Sequence, residues 1–162
     1  TIYEGTTGIQ ANDLIGRKVA YEKGATIKAL VGEMRALDRQ LASATHPAIN
    51  VVRRALSEGI AALEEATDWL LATYPHNMKA AAAGAVPFLK LFGTVAGGWQ
   101  MARAALIAKT RLDSGAGDFD FYRGKIGTAR FYAEHVMPLA QAYKQEVVNG
   151  STSVLGLEEA QF

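Results

Sequence analysis

The chain has 162 residues, the length of one domain with a sizeable core. With 49% of residues apolar and 20% charged, it has the balance of an ordinary globular protein, not that of a disordered chain. A formal net charge of +1 offers no electrostatic case for nucleic acid, and the lack of cysteine excludes a disulfide framework and thiolate chemistry.

In the opening stretch, Thr1-Ile2-Tyr3-Glu4-Gly5-Thr6-Thr7-Gly8-Ile9-Gln10-Ala11-Asn12, the carboxylate of Glu4 stands just before a small turn of glycines and hydroxyls. An amphipathic segment follows, with Leu14, Ile15 and Val19 on neighbouring helical positions and Asn12, Asp13, Arg17 and Lys18 elsewhere. Thr6 or Thr7 is suited to cap this helix by accepting a hydrogen bond from one of its first N–H groups. A helix start also favours an anion, because free amides and the positive end of the dipole point the same way. The residues alone leave two readings. Glu4 is a carboxylate beside a phosphate seat, or it is a dipole-complementing residue before a plain turn and cap.

Tyr21-Glu22-Lys23-Gly24 reads as a break, after which Ile27, Leu30, Val31, Met34, Leu37 and Leu41 recur at helical spacing and predict a helix over about 25–43. Ser43–Pro47 supplies a stop and a new start, with Pro47 at the first helical position. Ile49, Val52, Leu56, Ile60, Leu63, Leu70 and Tyr74 then form a stripe over about 47–73, ended by Pro75. From Met78 to Arg111 small residues dominate, and Lys90 is the one charge between Lys79 and Arg103. A central lysine and an Ala/Gly-rich composition argue against a membrane span. They predict instead a long helix buried on several sides, the most buried of the chain, kinked at Pro87, with Trp99 in its core. Asp113–Gly117 is a loop, Asp118 an N-cap, and Phe119, Tyr122, Ile126, Ala129, Ala133, Val136, Ala140, Tyr143 and Val147 mark a last helix over about 118–148 that Pro138 bends late. Val154–Phe162 reads as a loosely docking tail.

These elements describe an all-α protein without a convincing strand. Short connections make consecutive helices antiparallel, so the expected architecture is an up-and-down four-helix bundle preceded by a projecting first helix. The expected organisation is a remnant of another domain over 1–22, the bundle over 23–150 and a tail over 151–162.

The string Ile2-Tyr3-Glu4-Gly5-Thr6-Thr7-Gly8-Ile9-Gln10, followed by Asp13-Leu14-Ile15-Gly16-Arg17-Lys18, resembles the start of the last conserved helix of acyl-CoA dehydrogenases. It looks most like their larger branch with an extra C-terminal helical domain, the 3-methylthiopropionyl-CoA dehydrogenase-like enzymes. The motif covers about the first twenty residues, and the remainder resembles that branch's helical extension more loosely. By this resemblance Glu4 is the catalytic base, Gly5 and Thr6 are flavin-contacting, and Gln10 is the polar end of the motif. Gly8 is a cofactor-binding position at which several members carry a side chain instead. The resemblance implies FAD as cofactor, an acyl-CoA thioester as substrate, electron-transfer flavoprotein as partner, a homo-oligomer and a cytoplasmic setting. A chain that opens on Thr1 inside such a motif, without initiator Met or signal peptide, is expected to be a fragment. Several hundred residues upstream would hold most of the flavin and substrate site, and the fragment alone would be inactive.

Other chemistry has little support. His46, His76 and His135 are scattered, and His135 has only the adjacent Glu134, which on a helix faces away from it. Glu64, Glu65 and Asp68 lack the Glu-x-x-His pairs of a di-iron bundle, and no Gly-Lys-Ser/Thr phosphate loop occurs. No metal is expected. The alternative from a different class is a non-enzymatic helical bundle that serves interaction or oligomerisation.

Overall fold

The computed structural model describes residues 6–115 and 117–161. Helix α1, Thr7–Asp13, passes directly into a π-helical segment, Leu14–Ala20. That run ends where Lys23 (φ 52°) and Gly24 (φ 80°) turn through the left-handed region, which Gly24 adopts without steric cost. A Cβ on Gly24 would also lie 2.5 Å from Leu71 Cδ1, so the turn sits flush against the next helix but one. Helix α2 spans Ala25–Leu41 and α3 spans Pro47–Thr73. The start of α3 is fixed by His46, whose Nδ1 accepts from the N–H of Ala48 at 3.2 Å, and by Pro47 at a position that needs no donor. Beyond it lie α4, Met78–Ala83; α5, Ala85–Asp113; α6, Phe119–His135; α7, Leu139–Asn149; and α8, Ser151–Leu155. Asn77 caps α4 by accepting from the Ala80 N–H, and Asp118 caps α6 by accepting from the Phe121 N–H.

The bundle is all-α, as the periodicities predict. Three ties between α2 and α3 fix their antiparallel register: Asp38 with Arg53, Arg35 with Glu64, and Lys28 with Asp68. Helix α6 starts six positions after α5 ends and lies along it, with Tyr132 donating to the carbonyl of Thr94, so these two helices are antiparallel as well. Helix α7 runs parallel to α3, with Gln141 bonded to the Glu58 carbonyl and Lys144 paired to Glu65. Thus α2, α3, α5 and the α6–α7 pair alternate in direction. Between them lie Met34, Leu41, Ile49, Leu56, Ile60, Leu63, Leu70, Phe88, Leu91 and Val95, all almost wholly buried. Their burial stabilises the fold by about 1.5–3 kcal/mol for each large side chain, before conformational entropy is set against it.

Four expectations need correction. The first helix does not project: Ala11, Ile15 and Val19 are 0%, 2% and 2% exposed and belong to the main core, with α1 lying along α5. Three apolar residues on one stripe cost too much to leave in water, so α1 docks on α5 and the π-helical segment on α2, α3 and α5. The 78–111 helix is interrupted at Gly84, not kinked at Pro87. Because α5 restarts at Ala85, Pro87 falls in its first turn, where its missing N–H has no intrahelical acceptor to lose. Nor is that helix the most buried. It has neighbours on most sides, but α3 buries the larger share of its residues. Finally, the 118–148 helix is two helices. Pro138 lacks the N–H that would bond the Glu134 carbonyl, and the chain breaks at Val136–Pro138 before continuing as α7.

Candidate functional site

Glu4 and Gly5, the candidate base and its neighbour, lie outside the described residues. Thr6 stands at the N-cap position of α1 with helical angles (φ −85°, ψ −12°) rather than the extended ones typical of a capping threonine. Gly8 and Gln10 are exposed, and nothing lies within 4 Å of where a Gly8 Cβ would be. Thr6 and Gln10 are one turn apart and therefore share a face. Gln10 is exposed and Thr6 half-buried, while Ala11 and Ile15 are buried and anchor the run to the bundle. Ala11 and Ile15 thus dock this short element, while Gly8, Ile9 and Gln10 of the motif are exposed.

The face is not enclosed by the described residues. One cleft of about 480 Å³ lies between the π-helical segment and the end of α3, lined by Gly16, Tyr21, Lys23, Leu71, Tyr74 and Pro75. A second, of about 380 Å³, follows α2 and α3 past Ile27, Val31, Arg35, Glu64, Thr67 and Asp68. Neither is lined by Thr6, Gly8 or Gln10. What is present fits one edge of a flavin site, being polar, open and without bulk at Gly8. The concave, mostly apolar enclosure that holds a cofactor is not built from these residues.

Sequence reasoning did not find either cleft. The sequence marks the first only by Gly24, a residue suited to the left-handed turn at its edge. Gly16 has a second role that spacing could not disclose, because a Cβ there would lie 2.8 Å from the Tyr74 hydroxyl oxygen. In the second cleft, Arg35 grips Glu64 with two nitrogens at 3.3 and 2.5 Å and also donates to Ser57. The Glu64 hydrogen bond, ahead of an opposing effect of burial, raises the Arg35 pKa above its ordinary value and holds the guanidinium charged.

The acidic triplet on α3 is occupied by cations: Glu64 by Arg35, Glu65 by Lys144 and Asp68 by Lys28. Among the described residues no three His, Asp or Glu side chains converge to hold a metal ion, and no helix is long and apolar enough to cross a membrane. His46 serves as a helix cap, and His135 stacks on Phe131 with ring centres 4.6 Å apart.

An all-α bundle that carries a short, outward-facing motif helix on its flank is the class that fold and site define. Residues 24–158 match the family described as acetyl-CoA dehydrogenase C-terminal like, and the chain belongs to it. Among curated proteins, the 3-methylmercaptopropionyl-CoA dehydrogenase of Ruegeria pomeroyi is 40% identical over 95% of this chain and 26% of its own length. The broad-specificity linear acyl-CoA dehydrogenase FadE5 of Mycobacterium tuberculosis is 29% identical over all of this chain and 28% of its own. A butyryl-CoA dehydrogenase of Syntrophomonas wolfei is likewise 29% identical, over 27% of its length. The chain therefore spans about a quarter of the length of the curated relatives it matches. These relatives are acyl-CoA dehydrogenases, which makes the family an enzymatic one.

Proposed function

We propose that this chain is the C-terminal part of an FAD-dependent oxidoreductase that α,β-dehydrogenates acyl-CoA thioesters. The supporting observation is the division of labour on this first run, where Ala11 and Ile15 seat it on the bundle while Gly8 and Gln10 of the motif are exposed. Gly5, Thr6, Gly8 and Gln10 hold one edge of the flavin. When bound, that cofactor accepts the hydride from the β-carbon. Glu4 removes the α-proton as general base, and its carboxylate is a poor base in water at its reference pKa of about 4.3. Enclosure by residues beyond this chain desolvates it and raises its basicity. The bundle, residues 23–150, acts as a scaffold that holds the motif helix at a fixed angle, and residues 1–22 belong functionally to the catalytic portion. Electrons leave to an electron-transfer flavoprotein, in a cytoplasmic homo-oligomer.

Alone, the 162-residue chain is expected to be colourless and inactive with acyl-CoA and an electron acceptor. Yellow flavin co-purifying with it in stoichiometric amount would contradict this. In the longer protein, Glu4→Gln should retain flavin but slow flavin reduction by about a thousandfold, within the range for losing a general base. Stopped-flow reduction by acyl-CoA reads the rate. Near-normal reduction would place the base on another element.

A further inference from the structure

We propose that Asn149 is a site of spontaneous covalent modification, at which the side-chain amide is lost by cyclisation onto the Gly150 nitrogen when the end of α7 frays. Of the four asparagines, Asn12, Asn50, Asn77 and Asn149, only the last is followed by glycine. Glycine presents a backbone nitrogen with no Cβ beside it, in a chain free to take the bent conformation that cyclisation needs. In the reaction the Gly150 nitrogen, its proton taken by hydroxide, attacks Cγ of Asn149. The new C–N bond closes a five-membered imide, the Cγ–Nδ2 bond breaks, and ammonia leaves. Water then opens the ring at either carbonyl, which gives an aspartyl or a β-aspartyl linkage at position 149. Water is the one co-reactant, and no group is oxidised or reduced.

The fold decides how often this chemistry is allowed. In the closed form it is blocked, because the Gly150 N–H donates to the Glu146 carbonyl at 3.0 Å and Nδ2 of Asn149 donates to Gln145 Oε1 at 2.6 Å. Little holds that form closed. Among the described residues the last buried one is Val147, whose backbone rests against Gly84 at the break between α4 and α5. Asn149 is exposed and lies two positions beyond this anchor, at the end of α7. Helix α8, which follows at Ser151, has five residues, none of them buried, and is too short to persist as a helix by itself. It lies beside α4 with Val154 and Leu155 64% and 47% exposed. Opening beyond Val147 therefore uncovers little apolar surface and breaks a few hydrogen bonds, which puts it at the low end of local unfolding. The product does not close as before. A carboxylate at position 149 stands at the negative end of the α7 dipole, one turn after Glu146. A β-linkage also adds one atom to the main chain, which takes the Gly150 N–H out of register with the Glu146 carbonyl. Both changes release α8 from α4, so the modification is a one-way loosening of the tail.

Incubation of the 162-residue chain in mildly alkaline buffer, followed by cleavage after Lys144, yields a peptide of residues 145–162 in which Asn149 is the sole asparagine. Its mass should rise by the amide-to-acid difference, at a rate proportional to hydroxide. In native buffer the rate should lie about ten- to a hundredfold below that in urea, the ratio expected of a frayed helix end. Val147→Ala weakens the anchor and should raise the native rate at least about threefold, with the rate in urea unchanged. Asn149→Gln should abolish acid formation in this peptide, because the larger ring closes far more slowly. The isolated β-aspartyl form should lose hydrogen-exchange protection at the amides of α8 and keep it in α3 and α5. A native rate equal to the urea rate scaled by the global unfolding constant would mean that the end of α7 opens only with the whole fold, and overturns the proposal. Equal rates in the two solvents overturn it as well, since the closed form would then protect nothing. So does acid formation at Asn12, Asn50 or Asn77 as fast as at Asn149, an unchanged native rate in Val147→Ala, acid formation in the Asn149→Gln peptide, or unaltered protection of α8 after modification.

Discussion

Met137, in the break between α6 and α7, is wedged between two helices at points where both lack a side chain. A Cβ on Gly98 of α5 would lie 2.3 Å from Met137 Sδ, and one on Gly59 of α3 would lie 2.3 Å from Met137 Cε. The thioether is 4% exposed and clamped from both sides, so it has little room to swing away. Met137→Ala removes three heavy atoms from a notch whose walls are backbone and cannot collapse far. The expected loss is about 2–4 kcal/mol. Gly98→Ala should gain about 1 kcal/mol in helix propensity but incur about 1–3 kcal/mol of overpacking against the sulfur, for a net destabilisation of about 1 kcal/mol. In the Met137→Ala background the clash is absent and the new methyl enters the void. The same Gly98→Ala change should then stabilise by about 1.5 kcal/mol, from propensity plus one buried carbon. The two sites are thus expected to couple by roughly 2.5 kcal/mol, with a reversal of sign. Urea and thermal unfolding of the four proteins, followed by helical circular dichroism, measures it, since 1 kcal/mol moves the midpoint of a chain this size by about 2–4 °C. Additivity within about 0.5 kcal/mol, or a Gly98→Ala change with the same sign in both backgrounds, would refute the clamp.

Burial raises the Tyr132 pKa above its ordinary 10.0, so the folded state holds the proton more tightly than the unfolded one. Its contribution is complete below that value and is lost as pH rises through the folded-state pKa. Tyr132→Phe should therefore flatten the fall of the thermal midpoint between about pH 9 and 11, and a slope equal to the parent's would exclude the assignment. At neutral pH the same change should cost about 0.5–1.5 kcal/mol, because the hydroxyl donates to the Thr94 carbonyl at 3.1 Å. Glu64→Gln breaks a two-point contact with Arg35 between partly exposed groups. It should cost at most about 1 kcal/mol at low salt and less in about 1 M NaCl, as compared by urea unfolding.

The helices were legible where punctuation and periodicity agree. For α3, Pro47 and Pro75 bracket an unbroken apolar stripe, and the helix runs from Pro47 to Thr73. Where two signals compete, the sequence is ambiguous. Gly84 and Pro87 both weaken one helix, and the break fell at the glycine because a restart there renders the proline harmless. Pro138 was legible as a perturbation, but its effect depends on Met137 being held in the notch between α3 and α5, a contact across the fold. The π-helical segment left no mark, since an added residue per turn is set by what the helix packs against. The docking of α1 was written in Ala11, Ile15 and Val19 all along, but the surface that receives it is far away in the sequence. Of the motif residues, Glu4 and Gly5 lie outside the described residues, and the openness of Gly8 and Gln10 follows from that docking alone.

That separation has a consequence during synthesis. Helix α1 and the π-helical segment are made before the bundle helices, but α5, against which α1 packs, begins about seventy positions later. At the usual pace of translation, that interval lasts about 4–15 s. Throughout it α2 and α3 can already pair with each other and with the π-helical segment, while Ala11 on α1 still lacks the α5 surface it packs against. The helix that carries the motif therefore completes its packing only once α5 is made, although it leaves the ribosome before the bundle helices. A chaperone that shields short apolar segments would find it in that window, and an arrest of translation before α5 would leave the motif helix unanchored.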